Sequence, residues 1–447
     1  MNICTEISFN NEQINKMGGF EEDEKKFHAH FIEKDEKLFC KLYFRKGSTF
    51  HVSLGNWIVS NQHIDLFSLA KIESINEKEK VKKIYINHSR QIGYKMGTSQ
   101  YTNGTPYVLI EIDQIIYELD TEEWILQEHK SNFAELFLNV GSTKLVRDFY
   151  AFLSFVTEEN QWNAESRWDN FVELTEFAVK LKYLFESNSD QTETVIRHLP
   201  IIEIKHNCTQ FEEFNFIIKF MEEIITFFCN QNVEFEYSRI YFKDKKVVIR
   251  RTKNINLRNV TNAKIYHLDY NKDFMHFLSD LDFRKVRELE DDILSILGKY
   301  NFLKSLKGES QFMICYSILE NIRNILLKKY KIKEEFSFIN SRKDSSEFIR
   351  DRLQEISVII DLKEKEKFKN HSENHIKTIK YLPMSTQLTQ LFTTAKLVPP
   401  ENLDLIVKIR NNIFHGSKPK ITEEELNKVN IDFKNYIGKL ILKLCGI

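Results

Sequence analysis

Glycine and proline are scarce in this chain, at 13 and 6 of 447 residues. That scarcity argues against long disordered linkers and for a chain folded over most of its length. The six cysteines (Cys4, Cys40, Cys208, Cys229, Cys315, Cys445) are scattered, and no Cys-x-x-Cys pair occurs. A disulfide framework is therefore not expected, and reduced, buried thiols of a cytoplasmic protein are. No run approaches the roughly 18 apolar residues that a membrane span needs. The N-terminal MNICTEISFNNEQ lacks a basic segment followed by an apolar one, so no signal peptide is expected there. GSTKL and LGKYN lack the glycine spacing of a phosphate loop, which argues against nucleoside-triphosphate hydrolysis. Net charge is also almost absent, at −1.

What is abundant is apolar material: 42% of residues are hydrophobic and 13% aromatic, enough to fill the cores of two or three domains. The charge is unevenly spread. Gly308–Ile447 carries 24 Lys+Arg against 18 Asp+Glu, whereas the rest of the chain carries 40 against 47. A basic C-terminal third is modest support for an anionic partner there.

Residues 20–125 read as β-rich. KFHAHF sets Phe27, Ala29 and Phe31 against Lys26, His28 and His30, and KLFCKLYF alternates in part. HIDLFSLAKIESI, KKIYIN and the pair YVLIEID and IIYEL continue with β-branched and aromatic residues, which predicts a sandwich or barrel. Beyond Ser142 the period changes. STKLVRDFYAFLSFVT and SRWDNFVELTEFAVKLKYLF read as helices, although the second can also hold a strand. TETVIRHLPIIEIK reads as extended, FEEFNFIIKFMEEIITFFC as a helix, and FEYSRIYFKDKKVVIRRT as a hairpin turning at Lys243–Lys245.

From Asp273 onward the pattern is helical. One helix places Phe312, Tyr316, Leu319, Ile322 and Leu326 on a single stripe. SSEFIRDRLQEISVIID and MSTQLTQLFTTAKL are the next two, and NLDLIVKIRNNIFH is a fourth, opened by Pro399-Pro400 and closed by Gly416. Thr422 with Glu425 is a capping box for the last helix, and Ile421 with Leu426 occupies the staple positions. The expectation is an α+β protein in three parts: a β-rich region over 1–141, a mixed region over 142–272, and a helical bundle over 273–447.

The stretch KIRNNIFHGSKP, residues 408–419, carries the chemistry. Leu405, Ile406, Ile409 and Ile413 fall within about 100° of helix and form the expected buried stripe. Asn411 and His415, four apart, share another face, with Arg410 at the edge between. His415 falls in the last turn, where the helix C-terminus favours an imidazolium. An arginine clamps a phosphate through two N–H groups, a histidine exchanges protons near neutrality, and an asparagine orients the ring or donates to an oxyanion. Such a set suits RNA cleavage by the RNA's own 2′-hydroxyl, which needs no metal or other cofactor. Lys418 and Lys420 could hold neighbouring phosphates. The plainer reading makes Arg410 a surface cation, Asn411 an exposed amide and His415 a helix-end dipole partner.

RNNIFHG on the penultimate helix of a C-terminal bundle resembles the HEPN superfamily, whose signature is Arg, a polar residue, three variable residues and His. A β-rich N-terminal region followed by helices ending in IRNNIFHG is similar to the ApeA-like HEPN proteins of bacterial anti-phage defence. The resemblance implies a metal-independent endoribonuclease acting on tRNA in abortive infection. It also implies a homodimer in which two motifs face one cleft, with Arg410, Asn411 and His415 as matched positions. A sensing or regulatory role for the β-rich region over 1–141, with a phage-derived trigger, belongs to the same expectation; no membrane partner is expected, since no apolar run is long enough to span one. Some HEPN domains are inert modules that bind RNA or a protein, so that alternative stays open.

Three other groups carry weaker signals. His371 and His375 lack a third zinc ligand, and so do His198, His206 and Cys208; a solvated loop and buried packing are the expected roles. Glu320 could reach Arg410, but reads more simply as a surface glutamate beside Arg323 and Lys328.

Overall fold

A computed structural model describes residues 2–8, 26–34, 37–43, 71–74, 83–85, 94–99, 105–112, 114–120, 132–138, 171–189, 194–229, 233–251, 274–330, 347, 350–352, 355, 364, 366–367, 382–416 and 421–447. The chain divides into two compact units, Met1–Ile265 with Asn271–Phe283, and Tyr266–Tyr270 with Arg284–Ile447. The first holds all the described strands with two helices, and the second is helical, as expected for an α+β chain.

The first unit holds two antiparallel sheets. Its strands are β1 (Asn2–Ser8), β2 (Lys26–Lys34), β3 (Lys37–Tyr43), β4 (Lys71–Ser74), β5 (Lys83–Tyr85), β6 (Tyr94–Ser99), β7 (Thr105–Ile112), β8 (Gln114–Asp120), β9 (Asn132–Leu138), β10 (Val172–Leu174), β11 (Phe177–Ser189), β12 (Thr194–His206), β13 (Phe235–Tyr241) and β14 (Lys245–Arg251). One sheet has the order β4-β1-β2-β3-β7-β6 and the other β10-β11-β12-β9-β13-β14-β8-β5, and neither closes on itself among the described residues. The alternation in KFHAHF is physical: Phe27, Ala29 and Phe31 are buried while His28 is exposed. Arg250 on β14 pairs with Glu33 on β2 at 2.8 Å, joining the two sheets.

YVLIEID and IIYEL do not form a hairpin. β7 pairs with β3 and β6, whereas β8 pairs with β14 and β5. Only Asp113 separates them, and one residue is too short for a hairpin loop, so the chain passes from one sheet into the other. ELTEFAVKLKYLF, whose spacing suits a helix although it can also hold a strand, forms β10 and β11. Phe177, Val179 and Leu181 on one face and Ala178 on the other are buried there, with Lys180 half-buried, and pairing with β12 prevails over the three- and four-residue spacing. Strands on both sides of residue 141 hydrogen-bond within the eight-stranded sheet, β9 with β12 and β13 and β8 with β14. The segment 142–157 lies outside the described residues.

Helix α1 (Phe211–Cys229) is amphipathic: Phe214, Ile217, Phe220, Met221, Ile224 and Phe228 are buried, while Glu212 and Lys219 on the opposite face are exposed. It is fastened to the eight-stranded sheet by Glu222, which accepts from the Phe235 N–H at 3.0 Å and pairs with Arg251. The expected hairpin between β13 and β14 is present, closed by the Phe242 N–H donating to the Lys245 carbonyl at 2.8 Å. Short α2 (Phe274–Asp280) packs Phe274 and Phe277 against Phe228.

The second unit contains α3 (Phe283–Phe302), α4 (Gly308–Tyr330), α5 (Met384–Thr394), α6 (Leu403–Phe414) and α7 (Glu423–Leu444). The predicted stripe on α4 is buried in full, from Phe312 through Tyr316, Leu319 and Ile322 to Leu326. Each such side chain removed from water stabilises by about 1.5–3 kcal/mol. Phe433 of α7 meets both Phe312 and Tyr316, with ring centres 5.5 and 6.5 Å away. Buried Asn430 donates to the Gly308 carbonyl at 2.9 Å, fixing the register of α7 on α4. The capping box is complete: the Glu425 N–H donates to Thr422 Oγ1 at 3.2 Å, and Glu425 Oε2 accepts from the Thr422 N–H at 2.8 Å. Most of SSEFIRDRLQEISVIID lies outside the described residues. Among the described residues, no helix is long and apolar enough to cross a membrane.

Candidate functional site

Helix α6 starts where Pro399-Pro400 ends the preceding segment, and the Leu403 N–H donates to the Pro400 carbonyl at 3.2 Å. It ends at Phe414, with His415 as cap and Gly416 in the left-handed region at φ +69. The His415 N–H donates to the Asn411 carbonyl and the Gly416 N–H to the Ile413 carbonyl, both at 3.0 Å. Gly416 is needed because an L side chain at that φ is strained.

The buried stripe of α6 is Leu403, Ile406 and Ile409. Leu405 and Ile413, assigned to it by periodicity, are half-buried. At 100° per residue, Arg410 lies at the edge of this stripe and Phe414, Asn411 and His415 follow within about 140°. That order accounts for a half-buried Arg410 and exposed Asn411, Phe414 and His415.

Arg410 is the organised member. Its Nη1 donates to Asn411 Oδ1 at 3.1 Å, and Nη2 lies 3.8 Å from Glu320 Oε1 on α4. The guanidinium carbon sits 5.3 Å from the Tyr316 ring centre and 4.3 Å from that of Phe414, so aromatic rings flank it. At 3.8 Å and partly exposed, the Glu320 pair is worth little as a stabilising contact, under about 1 kcal/mol, but it biases where the guanidinium points. Arg410 Nε is buried without a hydrogen-bond partner, and so is the Tyr316 hydroxyl. Burial pushes the Tyr316 phenol up, and Glu320 acts the same way against the pull of Arg410 and Arg323. Tyr316 therefore stays neutral and serves the guanidinium through its ring.

The structure thus brings Arg410 and Asn411 together, but pairs the Asn411 amide with Arg410 rather than with His415. The imidazole of His415 is exposed and joined to no other described residue. Lys418 and Lys420 lie outside the described residues. Glu320, which sequence reading treated as a surface glutamate, faces Arg410 instead. Tyr316, read as core, is core on one side and an arginine support on the other. The available signal was the i, i+4 spacing of Tyr316 and Glu320 on one face of α4, but nothing local in sequence shows which helix that face meets.

Elsewhere, His206 is buried against Phe214 and Phe242, with ring centres 4.2 and 5.4 Å away. Cys208 is half-buried, and the side chain of His198 and the whole of His371 and His375 lie outside what is described. No group of His, Cys, Asp and Glu among the described residues is arranged to hold a metal ion. Compared with family models, with curated proteins and with solved structures, the chain matches none.

Proposed function

We propose that the helical unit is an endoribonuclease that cuts RNA through its own 2′-hydroxyl, with Arg410 clamping the scissile phosphate and His415 moving the proton. The observation that carries this reading is the solvent-facing strip Arg410–Asn411–Phe414–His415 at the end of α6. In it a cation is held in place by Tyr316 and Glu320 while the imidazole is left open to a substrate. The 2′-oxygen attacks phosphorus as a base takes its proton, the bond from phosphorus to the 5′-oxygen breaks, and that oxygen is protonated. The products are a 2′,3′-cyclic phosphate and a 5′-hydroxyl. Arg410 stabilises the charge that builds on the phosphorane oxygens, and a bidentate guanidinium suits this task better than a lysine. A single imidazole cannot at once accept the first proton and donate the second, so we place a second copy of the chain opposite, its own His415 completing the cleft. The likeness of RNNIFHG to the HEPN signature supports this pairing. It also supports tRNA as substrate, anti-phage abortive infection as setting, and the β-rich unit as sensor of a phage-derived trigger.

A second reading, a non-catalytic module that binds RNA or a protein, is favoured by one observation: the Asn411 amide is engaged by Arg410 and does not orient His415. The two separate in one assay. Purified protein is incubated with total tRNA in EDTA, with and without phage lysate, beside Arg410→Ala and His415→Ala. Discrete cuts ending in 2′,3′-cyclic phosphate, lost in both variants, establish the nuclease. RNA bound but left intact under both conditions establishes the binding module.

A further inference from the structure

Phe414, the last residue of α6, is 54% exposed. Phe302, Val398 and Ile431 are also exposed, but Phe414 alone among them lies on the strip that carries Arg410 and His415. It is four residues from Arg410 and three from Asn411, so it shares their helix face. Its ring lies 4.3 Å from the Arg410 guanidinium carbon, and about half of its surface stays in water. The Arg410 guanidinium thus stands beside an aromatic ring that is half open to solvent.

We infer that Phe414 is a stacking residue, one that receives the nucleobase next to the phosphate held by Arg410. The inference rests on the RNA-directed reading of this site. A phenyl ring offers no hydrogen bond to a base edge, so it selects for an unpaired, splayed base rather than for its identity. Cuts then fall in loops and single-stranded segments, beside bases that can leave the stack, with little dependence on which base it is. Asn411, whose Oδ1 is occupied by Arg410, keeps its amide N–H groups as donors toward the same nucleotide.

The test uses the full-length protein and an RNA hairpin with an unpaired loop, made with its normal base or with an abasic ribose beside the cleaved phosphate. The parent is compared with Phe414→Leu, which keeps an apolar side chain without a π-face, and with Phe414→Trp, which keeps the face. KM is expected to rise about ten-fold in Phe414→Leu and to recover in Phe414→Trp, with kcat changed less than KM. The abasic hairpin should weaken the parent to a similar degree and leave Phe414→Leu almost unaffected. If the protein binds the hairpin without cutting it, Kd replaces KM and the same comparison decides. Equal KM or Kd for parent and Phe414→Leu overturns the stacking role while leaving the nuclease reading intact. No binding or cutting by the parent, with phage lysate present, overturns both. A mere support of Arg410 by Phe414 would show instead as a fall in kcat that is the same on both hairpins.

Discussion

His206 should make the β-rich unit lose stability in mild acid. It ends β12, is 2% exposed, and lies between Phe214 and Phe242. Burial lowers its pKa from 6.5 to about 4; the backbone of Phe133 and Cys208, outside hydrogen-bond geometry with the ring, opposes this in part. The folded pKa lies below the unfolded one, so between them the unfolded chain binds a proton that the folded chain refuses. The penalty is absent above about pH 6.5 and grows as pH falls toward 4. At 1.36 kcal/mol per pH unit it reaches about 3 kcal/mol, with about 2 kcal/mol already present at pH 5. The assay is urea unfolding at pH 7.5 and pH 5, followed by tryptophan fluorescence, because all four tryptophans (Trp57, Trp124, Trp162, Trp168) fall within Met1–Ile265. The comparison protein is His206→Leu, whose packing change is the same at both pH values and cancels in its own difference. Carboxylates that titrate elsewhere are common to both proteins. The parent should therefore lose about 2 kcal/mol more than His206→Leu between pH 7.5 and pH 5. Equal losses would refute a neutral, desolvated His206.

Two further outcomes concern the helical unit. Thr422→Ala removes the acceptor for the Glu425 N–H and the partner of the Glu425 carboxylate, and should cost about 1 kcal/mol in denaturant unfolding. An unchanged midpoint would mean that the capping box contributes nothing to this helix. Gly416→Ala meets no atom within 4 Å, so only its positive φ is penalised, by about 1 kcal/mol. A loss of several kcal/mol would instead show that Gly416 is closely packed.

Where the sequence sufficed, the deciding interactions were local. The capping box of α7 spans four residues, and both its bonds form as the spacing requires. The stripe on α4 repeats at helical period, and all five of its residues are buried. The alternation in KFHAHF fixed both its strand and the buried face. The hairpin at Lys243–Lys245 likewise needs only the residues that flank it. The strip of Arg410, Asn411 and His415 was also legible, because helix period alone separates it from the buried stripe.

Tertiary structure decided whatever depends on a distant partner. ELTEFAVKLKYLF fits a helix by spacing, but becomes a strand because β12 pairs with β11 along its full length. YVLIEID and IIYEL suit each other as neighbours, yet join different sheets because each pairs with a strand from far along the chain, β7 with β3 and β8 with β14. On α6, Leu405 falls just outside the buried arc, whereas Ile413 falls inside it but lies in the last turn, where it is only half-buried. The sharpest case is Arg410. Its place on the helix edge follows from sequence, but Tyr316 and Glu320, which flank it, lie about ninety residues earlier and reach it only when α4 packs against α6. The chain alone determined that a cation, an amide and an imidazole share one strip of α6; the packing of two helices determined which of them is held by distant partners.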